Sequence, residues 1–295
     1  MFATIIWDPD ITLFTIGSFS LRWYSVCWIL AFASAYIVLR RIFKKEGIAE
    51  EKLISLAVYV FVGTFVGARL AHCLFYDYEY FFAHPLEIIL PFKKVAGKWI
   101  FTGYAGLASH GGAAGILLAL WLFSRKHKMK FLDLTDKIAL VAPLSGAFIR
   151  IGNFVNSEII GKATDMPWGV VFNRIDTVPR HPSQLYEALA YIAIFVLVYY
   201  LYTRKRGTYK PGYILGVSIT GIFAARFLIE YTKEVQVGFE ETLRQMIGMD
   251  MGQLLSLPFI IVGVIFIVKK RKMTADQPKI SKAEAKYGYK SKKSA

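Results

Sequence analysis

The chain is poor in cysteine, histidine and acid, and each shortage excludes something. Its two cysteines, Cys27 and Cys73, fall in apolar runs without metal-ligand spacing. They form no disulfide framework and read as buried free thiols. The five histidines include no pair at i, i+4. No metal site of that pattern is expected, and no cofactor. Acidic residues number 21 against 36 lysines and arginines, a formal charge of +15. That excess does not imply a nucleic-acid partner. The cations sit in short segments between apolar runs and in the tail, where membrane topology places them. Residues 1–20 carry no basic stretch ahead of their apolar residues, unlike a secretory signal peptide. No repeat of fixed period occurs, so an inverted-repeat transporter gains no support.

Apolar residues are abundant instead. Hydrophobic residues make up 55% of the chain and aromatics 16%, with mean hydropathy +0.43. Seven stretches approach the ~20 residues a helix needs to cross ~30 Å of hydrocarbon. They are residues 21–42, 53–76, 104–124, 138–154, 184–202, 212–231 and 252–268. The pattern predicts an all-α, polytopic membrane protein with seven transmembrane helices. Basic clusters follow the first, third, fifth and seventh spans: Arg40-Arg41, Arg125-Lys126, Arg204-Lys205-Arg206 and Lys269-Lys270-Arg271-Lys272. That asymmetry places the N-terminus outside and the C-terminus in the cytoplasm. Residues 1–272 are then one transmembrane domain with outer-side segments 77–103, 157–183 and 232–249. Within the first of these, residues 77–98 are too interrupted to span and suit an amphipathic element at the interface. Residues 273–295 form a basic cytoplasmic tail expected to be disordered. Gly63-x-x-x-Gly67 and Gly111-x-x-x-Gly115 are small-residue patterns that let helices pack closely.

Ionisable residues inside a span are costly and point first to function. At ~1.5 Å per helical residue, Arg69, Arg150 and Arg226 fall roughly 18–25 Å from the inner edge. Tyr24, His110, Tyr186 and Glu187 open the inward-running spans, which puts them in the same outer layer. The pattern predicts a polar cavity facing the outer leaflet. Arg150 and Asn153 stand i, i+3, and Gln184 and Glu187 do the same, so each pair shares a helix face. Arg226 and Glu230, at i, i+4, are spaced to pair with each other. Guanidinium forks onto phosphate with two bonds at once, and the nearest anion is a phospholipid head group. Lipid-modifying chemistry leads on these residues. A transporter of anions or lipids through the same cavity is the alternative.

Several stretches resemble one family. Arg150-x-Gly152-Asn153-Phe154-x-Asn156-x-Glu158-x-x-Gly161 is similar to the signature of bacterial prolipoprotein diacylglyceryl transferases. Arg22-Trp23-Tyr24, Gly67-Ala68-Arg69, His110-Gly111-Gly112, Arg180-His181-Pro182-Ser183-Gln184-Leu185-Tyr186-Glu187, Arg226-Phe227-x-x-Glu230 and Met251-Gly252-Gln253 follow in the family's order and spacing. The resemblance covers about residues 8–270. It implies a multi-pass enzyme of the bacterial cytoplasmic (inner) membrane. Such an enzyme moves the diacylglyceryl group of phosphatidylglycerol to the lipobox cysteine of a prolipoprotein and releases glycerol phosphate. The nucleophile then belongs to the substrate, so the chain needs no catalytic cysteine.

On that reading His110, Arg150 and Arg226 are the expected catalytic residues. His110 takes the thiol proton, while Arg150 and Arg226 hold the phosphate. Tyr24, Asn153, Glu158 and Glu230 complete the head-group site with the two arginines. Arg69, Asn156, Gly161, His181, Gln184, Tyr186, Glu187 and Lys233 stand behind them. Two positions depart from the pattern. Ile149 precedes Arg150 where glycine is usual, and Lys233 stands where an arginine often does, which removes a bidentate phosphate ligand there.

Overall fold

The computed structural model describes residues 5–17, 19–95, 98–101, 106–204, 209–234 and 246–269. The predicted tail, 273–295, lies outside them. The chain divides into two compact units, residues 1–35 with 138–295, and residues 36–137.

Nine helices dominate the described residues. They are α1 (Trp23–Lys45), α2 (Glu50–Phe75), α3 (Tyr78–Ala83), α4 (Leu86–Ile89), α5 (Ser109–His127), α6 (Phe131–Val155), α7 (Ser183–Arg204), α8 (Tyr213–Ile229) and α9 (Met251–Val268). Six of them, α1, α2, α6, α7, α8 (with the 3-10 turn Glu230–Thr232) and α9, are long and apolar enough to cross a membrane. The predicted third span coincides with α5, which is 19 residues long. Ser109 and His110 at its start and Arg125-Lys126-His127 at its end shorten its apolar centre and leave it outside that group. The helices turn apolar side chains outward. Ile29, Val58, Leu118, Val196 and Ile265 are all at least half exposed, as suits helices solvated by lipid tails.

The predicted fourth span, 138–154, is the end of a longer helix. Asp133, Thr135, Asp136 and Lys137 interrupt the apolar pattern but stay helical; the last three are buried, and Thr135 Oγ1 donates to the Leu132 carbonyl at 2.9 Å. Lys137 pairs with Glu46 at 3.0 Å, both nearly buried. Pro143 lies inside α6 without ending it.

In unit 2, α2 and α5 pack through the predicted glycines. A Cβ on Gly63 would come within 2.6 Å of the Gly115 carbonyl oxygen, and one on Gly67 would meet the Gly111 carbonyl. These four positions have room for hydrogen alone, so backbone touches backbone along the seam. Residues 77–98, predicted as an interfacial element, form α3, α4, β4 (Phe92–Val95) and the start of β5 (Lys98–Phe101). Phe82, Leu86 and Ile89 are exposed on it, while Phe81 and Glu87 are buried. Arg69 fastens the buried side, donating to the carbonyls of Glu87 (2.6 Å), Ile88 (3.3 Å) and Gly106 (3.4 Å) and lying 4.7 Å from the Phe81 ring centre.

Unit 1 carries short strands that the helix-based reading omitted. β1 (Ile5–Trp7), β6 (Val170–Phe172) and β7 (Pro179–Arg180) form one sheet, with β1 parallel and β7 antiparallel to β6. β2 (Thr12–Ile16) and β3 (Phe19–Arg22) form a hairpin. The β-branched and aromatic Val170-Val171-Phe172 after Gly169 was the sequence signal for β6. Phe154, Val170 and Phe172 make a small core beneath the sheet, with Trp7, Ile160 and Leu185 around it. Trp7 Nε1 donates to the Phe154 carbonyl at 3.0 Å, seating the sheet on the end of α6.

Candidate active site

Unit 1 gathers most of the predicted residues into one network of hydrogen bonds and ion pairs. Arg150, in the last two turns of α6, has its Nη1 donating to Asn153 Oδ1 at 3.2 Å, as their i, i+3 spacing requires. Its Nε lies 2.8 Å from Glu187 Oε2, an ion-pair contact off the line of a hydrogen bond. Glu187 is fully buried on α7. Its other oxygen accepts from Lys233 Nζ at 3.0 Å, and the same ammonium donates to Glu230 Oε2 at 2.9 Å. The spacing-based pairing of Glu230 with Arg226 is therefore replaced by Lys233, which sits three residues on and lies between two carboxylates.

The loop leaving α6 brings Glu158 back over the helix end. Ser157 and Ile159, either side of it, both have left-handed backbone, with φ of 56° and 55°. For the β-branched Ile159 this conformation is strained and persists only where surroundings enforce it. Glu158 Oε2 accepts from Asn153 Nδ2 at 2.9 Å, and Oε1 from Asn156 Nδ2 at 3.1 Å. A carboxylate over a helix C-terminus opposes the helix dipole, and the two amides supply the compensating donors. Gln184 Nε2 fixes the same turn by donating to the Glu158 carbonyl at 2.6 Å. Gly161 then passes so close to His181 and Ser183 that a Cβ would fall 2.6 Å from Ser183 Oγ. Its N–H donates to the His181 carbonyl at 3.1 Å.

Tyr24 packs its ring on Gly152 of α6, where a Cβ would lie 2.8 Å from Tyr24 Cδ2. The close approach therefore falls two residues after Arg150. Ile149 lies within regular helix. Arg226, partly buried on α8, has no ion-pair or hydrogen-bond partner among the described residues. His181 and Tyr186 sit to one side, His181 Nδ1 being 3.2 Å from Tyr186 Oη, which also accepts from Trp168 Nε1 at 2.7 Å.

Unit 2 holds the remaining two residues. Arg69 is committed to the carbonyls named above, so its guanidinium serves the fold of that unit. His110 occupies the first turn of α5 and is exposed, directly ahead of Gly111 in the seam.

Gly252, of the Met251-Gly252-Gln253 stretch, shapes the site as well. An added Cβ would overlap the Glu230 carboxylate, 2.8 Å from Oε2. Only glycine in the first turn of α9 leaves that space. Gly252→Ala is expected to displace Glu230 from Lys233 and to lower the thermal midpoint in detergent. An unchanged midpoint and unchanged activity would contradict this account.

The loop between α6 and α7 has its own lock. Arg180 Nε lies 3.2 and 3.0 Å from the two Asp176 oxygens, and Nη1 reaches the Gly161 carbonyl (3.2 Å) and Glu234. The Arg180 hydrogen bonds hold the Asp176 carboxyl below its ordinary range. A depressed folded value means the pair's contribution is present in full above about pH 4. It is lost as pH falls through the folded value. Fluorescence of Trp168, on this loop, should therefore show an acid transition below about pH 4 that Asp176→Asn abolishes.

The fold and site define a multi-pass membrane protein with a partly buried network of ion pairs and amides, and a further guanidinium, Arg226, without an ion-pair partner among the described residues. The chain belongs to the prolipoprotein diacylglyceryl transferase family, whose model matches residues 11–269. It is 44% identical over 268 residues to the phosphatidylglycerol–prolipoprotein diacylglyceryl transferase of Bacteroides fragilis, covering 90% of this chain and 95% of that protein. Identity to the protein of the same name from Tolumonas auensis is 45% over 272 residues, covering 92% and 99%. For that from Porphyromonas gingivalis it is 43% over 283 residues, covering 90% and 95%.

Proposed function

We propose that the protein transfers the diacylglyceryl group of phosphatidylglycerol to the thiol of a prolipoprotein's lipobox cysteine, the first step of lipoprotein lipidation. A carbon–sulfur bond forms at the glycerol carbon, the carbon–oxygen bond to phosphate breaks, and glycerol phosphate leaves with the bonding pair. The thiol, of free pKa about 8.5, must first lose its proton. We assign that proton to His110, an exposed imidazole at a helix start. Negative charge grows on the departing phosphate, and guanidinium groups already in place stabilise it without reorganising. Arg226 carries this reading: it is a partly buried cation on a membrane helix, and no carboxylate among the described residues neutralises it. Arg150 supplies the second cation, with Tyr24, Asn153, Glu158 and Glu230 completing the head-group site.

The same reading takes α5 as a seventh span, with the N-terminus outside and the C-terminus in the cytoplasm. Residues 1–272 are then the catalytic body, in the bacterial inner membrane. Transport of an anion or lipid is not favoured, because near-full-length relatives are named as transferases. The purified protein, given labelled phosphatidylglycerol and a lipobox peptide, should move label to the peptide. Solute flux in proteoliposomes without lipid consumption would reverse the assignment.

A further inference from the structure

The charged groups around Arg150 form a chain rather than separate pairs: Arg150 to Glu187, Glu187 to Lys233, Lys233 to Glu230. Lys233 is only 6% exposed, and two carboxylates take its ammonium, so it faces protein rather than a ligand. Arg150 differs. A guanidinium has five N–H donors. Glu187 occupies the Nε side, Asn153 takes one donor of Nη1, and the Tyr191 hydroxyl also engages the guanidinium. The remaining donors all lie on the two terminal nitrogens, the end that forks onto an oxyanion.

We propose that Lys233 and Glu187 are a positioning pair that decides which edge of Arg150 meets the phosphate; this rests on the function proposed above. Lys233 holds one oxygen of Glu187, so that carboxylate reaches Arg150 with one oxygen only, at Nε. Without Lys233, both oxygens of Glu187 are free to fork onto Arg150 and cover the end that phosphate needs. The loss of Lys233 then acts through Glu187. A lysine suits this task because a compact ammonium bridges two carboxylates, whereas phosphate would favour the planar fork of arginine.

A double-mutant cycle on the full-length protein in detergent tests this, with labelled phosphatidylglycerol and a lipobox peptide. Lys233→Met is expected to lower kcat about 10²-fold, the size of losing one preorganised donor. Glu187→Gln, which cannot fork as a carboxylate, is expected to cost about 10-fold, less than a full oxyanion donor. The double variant should be no slower than Lys233→Met alone, since residues acting in series are not additive. Lys233→Arg, still able to span both carboxylates, should keep activity within about 3-fold of wild type. Losses that multiply in the double variant would overturn the pairing and make Lys233 an independent contributor. If Lys233→Met fails to fold, Lys233→Gln, which still donates to one carboxylate, completes the cycle. An inactive wild-type control would instead refute the proposed function.

Discussion

Replacing Arg150 by alanine is expected to lower transfer to a lipobox peptide by about 10²- to 10³-fold, the range seen when one preorganised charge-stabilising donor is removed. The loss should appear in kcat, because the phosphate gains its charge as the carbon–oxygen bond breaks. Arg150→Lys should recover little. An ammonium cannot keep Glu187 and Asn153 on one side while presenting two parallel donors on the other. The alanine variant also leaves buried Glu187 with Lys233 as its cation, so the protein should remain folded, which gel filtration in detergent would check. Turnover at the wild-type rate would remove Arg150 from the chemistry.

His110→Asn should cost about 10²- to 10⁴-fold near neutral pH, the usual contribution of a positioned general base. Part of that loss should return as pH rises toward the free thiol pKa of about 8.5, where the substrate ionises unaided. The sign is diagnostic: the ratio of wild-type to variant rate must shrink with rising pH. A ratio that stays constant with pH would show that His110 does not accept the proton.

Much of the site was legible in the sequence because polar residues stand out in apolar helices. Arg150 with Asn153, and Gln184 with Glu187, are set by helical spacing, and each member makes a network contact. Spacing failed at Arg226 and Glu230. There the end of α8 tightens into a 3-10 turn, and Lys233 reaches back to Glu230 instead. Nor could periodicity reveal that Arg69 spends its donors on backbone carbonyls, since those partners carry no side-chain signal. The small sheet was missed for a related reason. Its strands are two or three residues long, and Pro179-Arg180 has no alternating pattern to read. The glycines fared better: spacing alone marked both motifs for close helix packing, and the structure packs α2 on α5 through them.

The order of residues in the ion-pair chain bears on how the protein enters its membrane. Arg150 on α6 is synthesised before Glu187 on α7, and Lys233 comes later still. A lone arginine at a helix centre costs ~2.5–3.5 kcal/mol to insert, and less toward a helix end. During biogenesis α6 is therefore an incomplete inserter until α7 delivers the Glu187 carboxylate. Nascent chains arrested before α7 should integrate α6 less efficiently than chains arrested after it, so the bonds that set up Arg150 in the finished protein also couple the insertion of its helices.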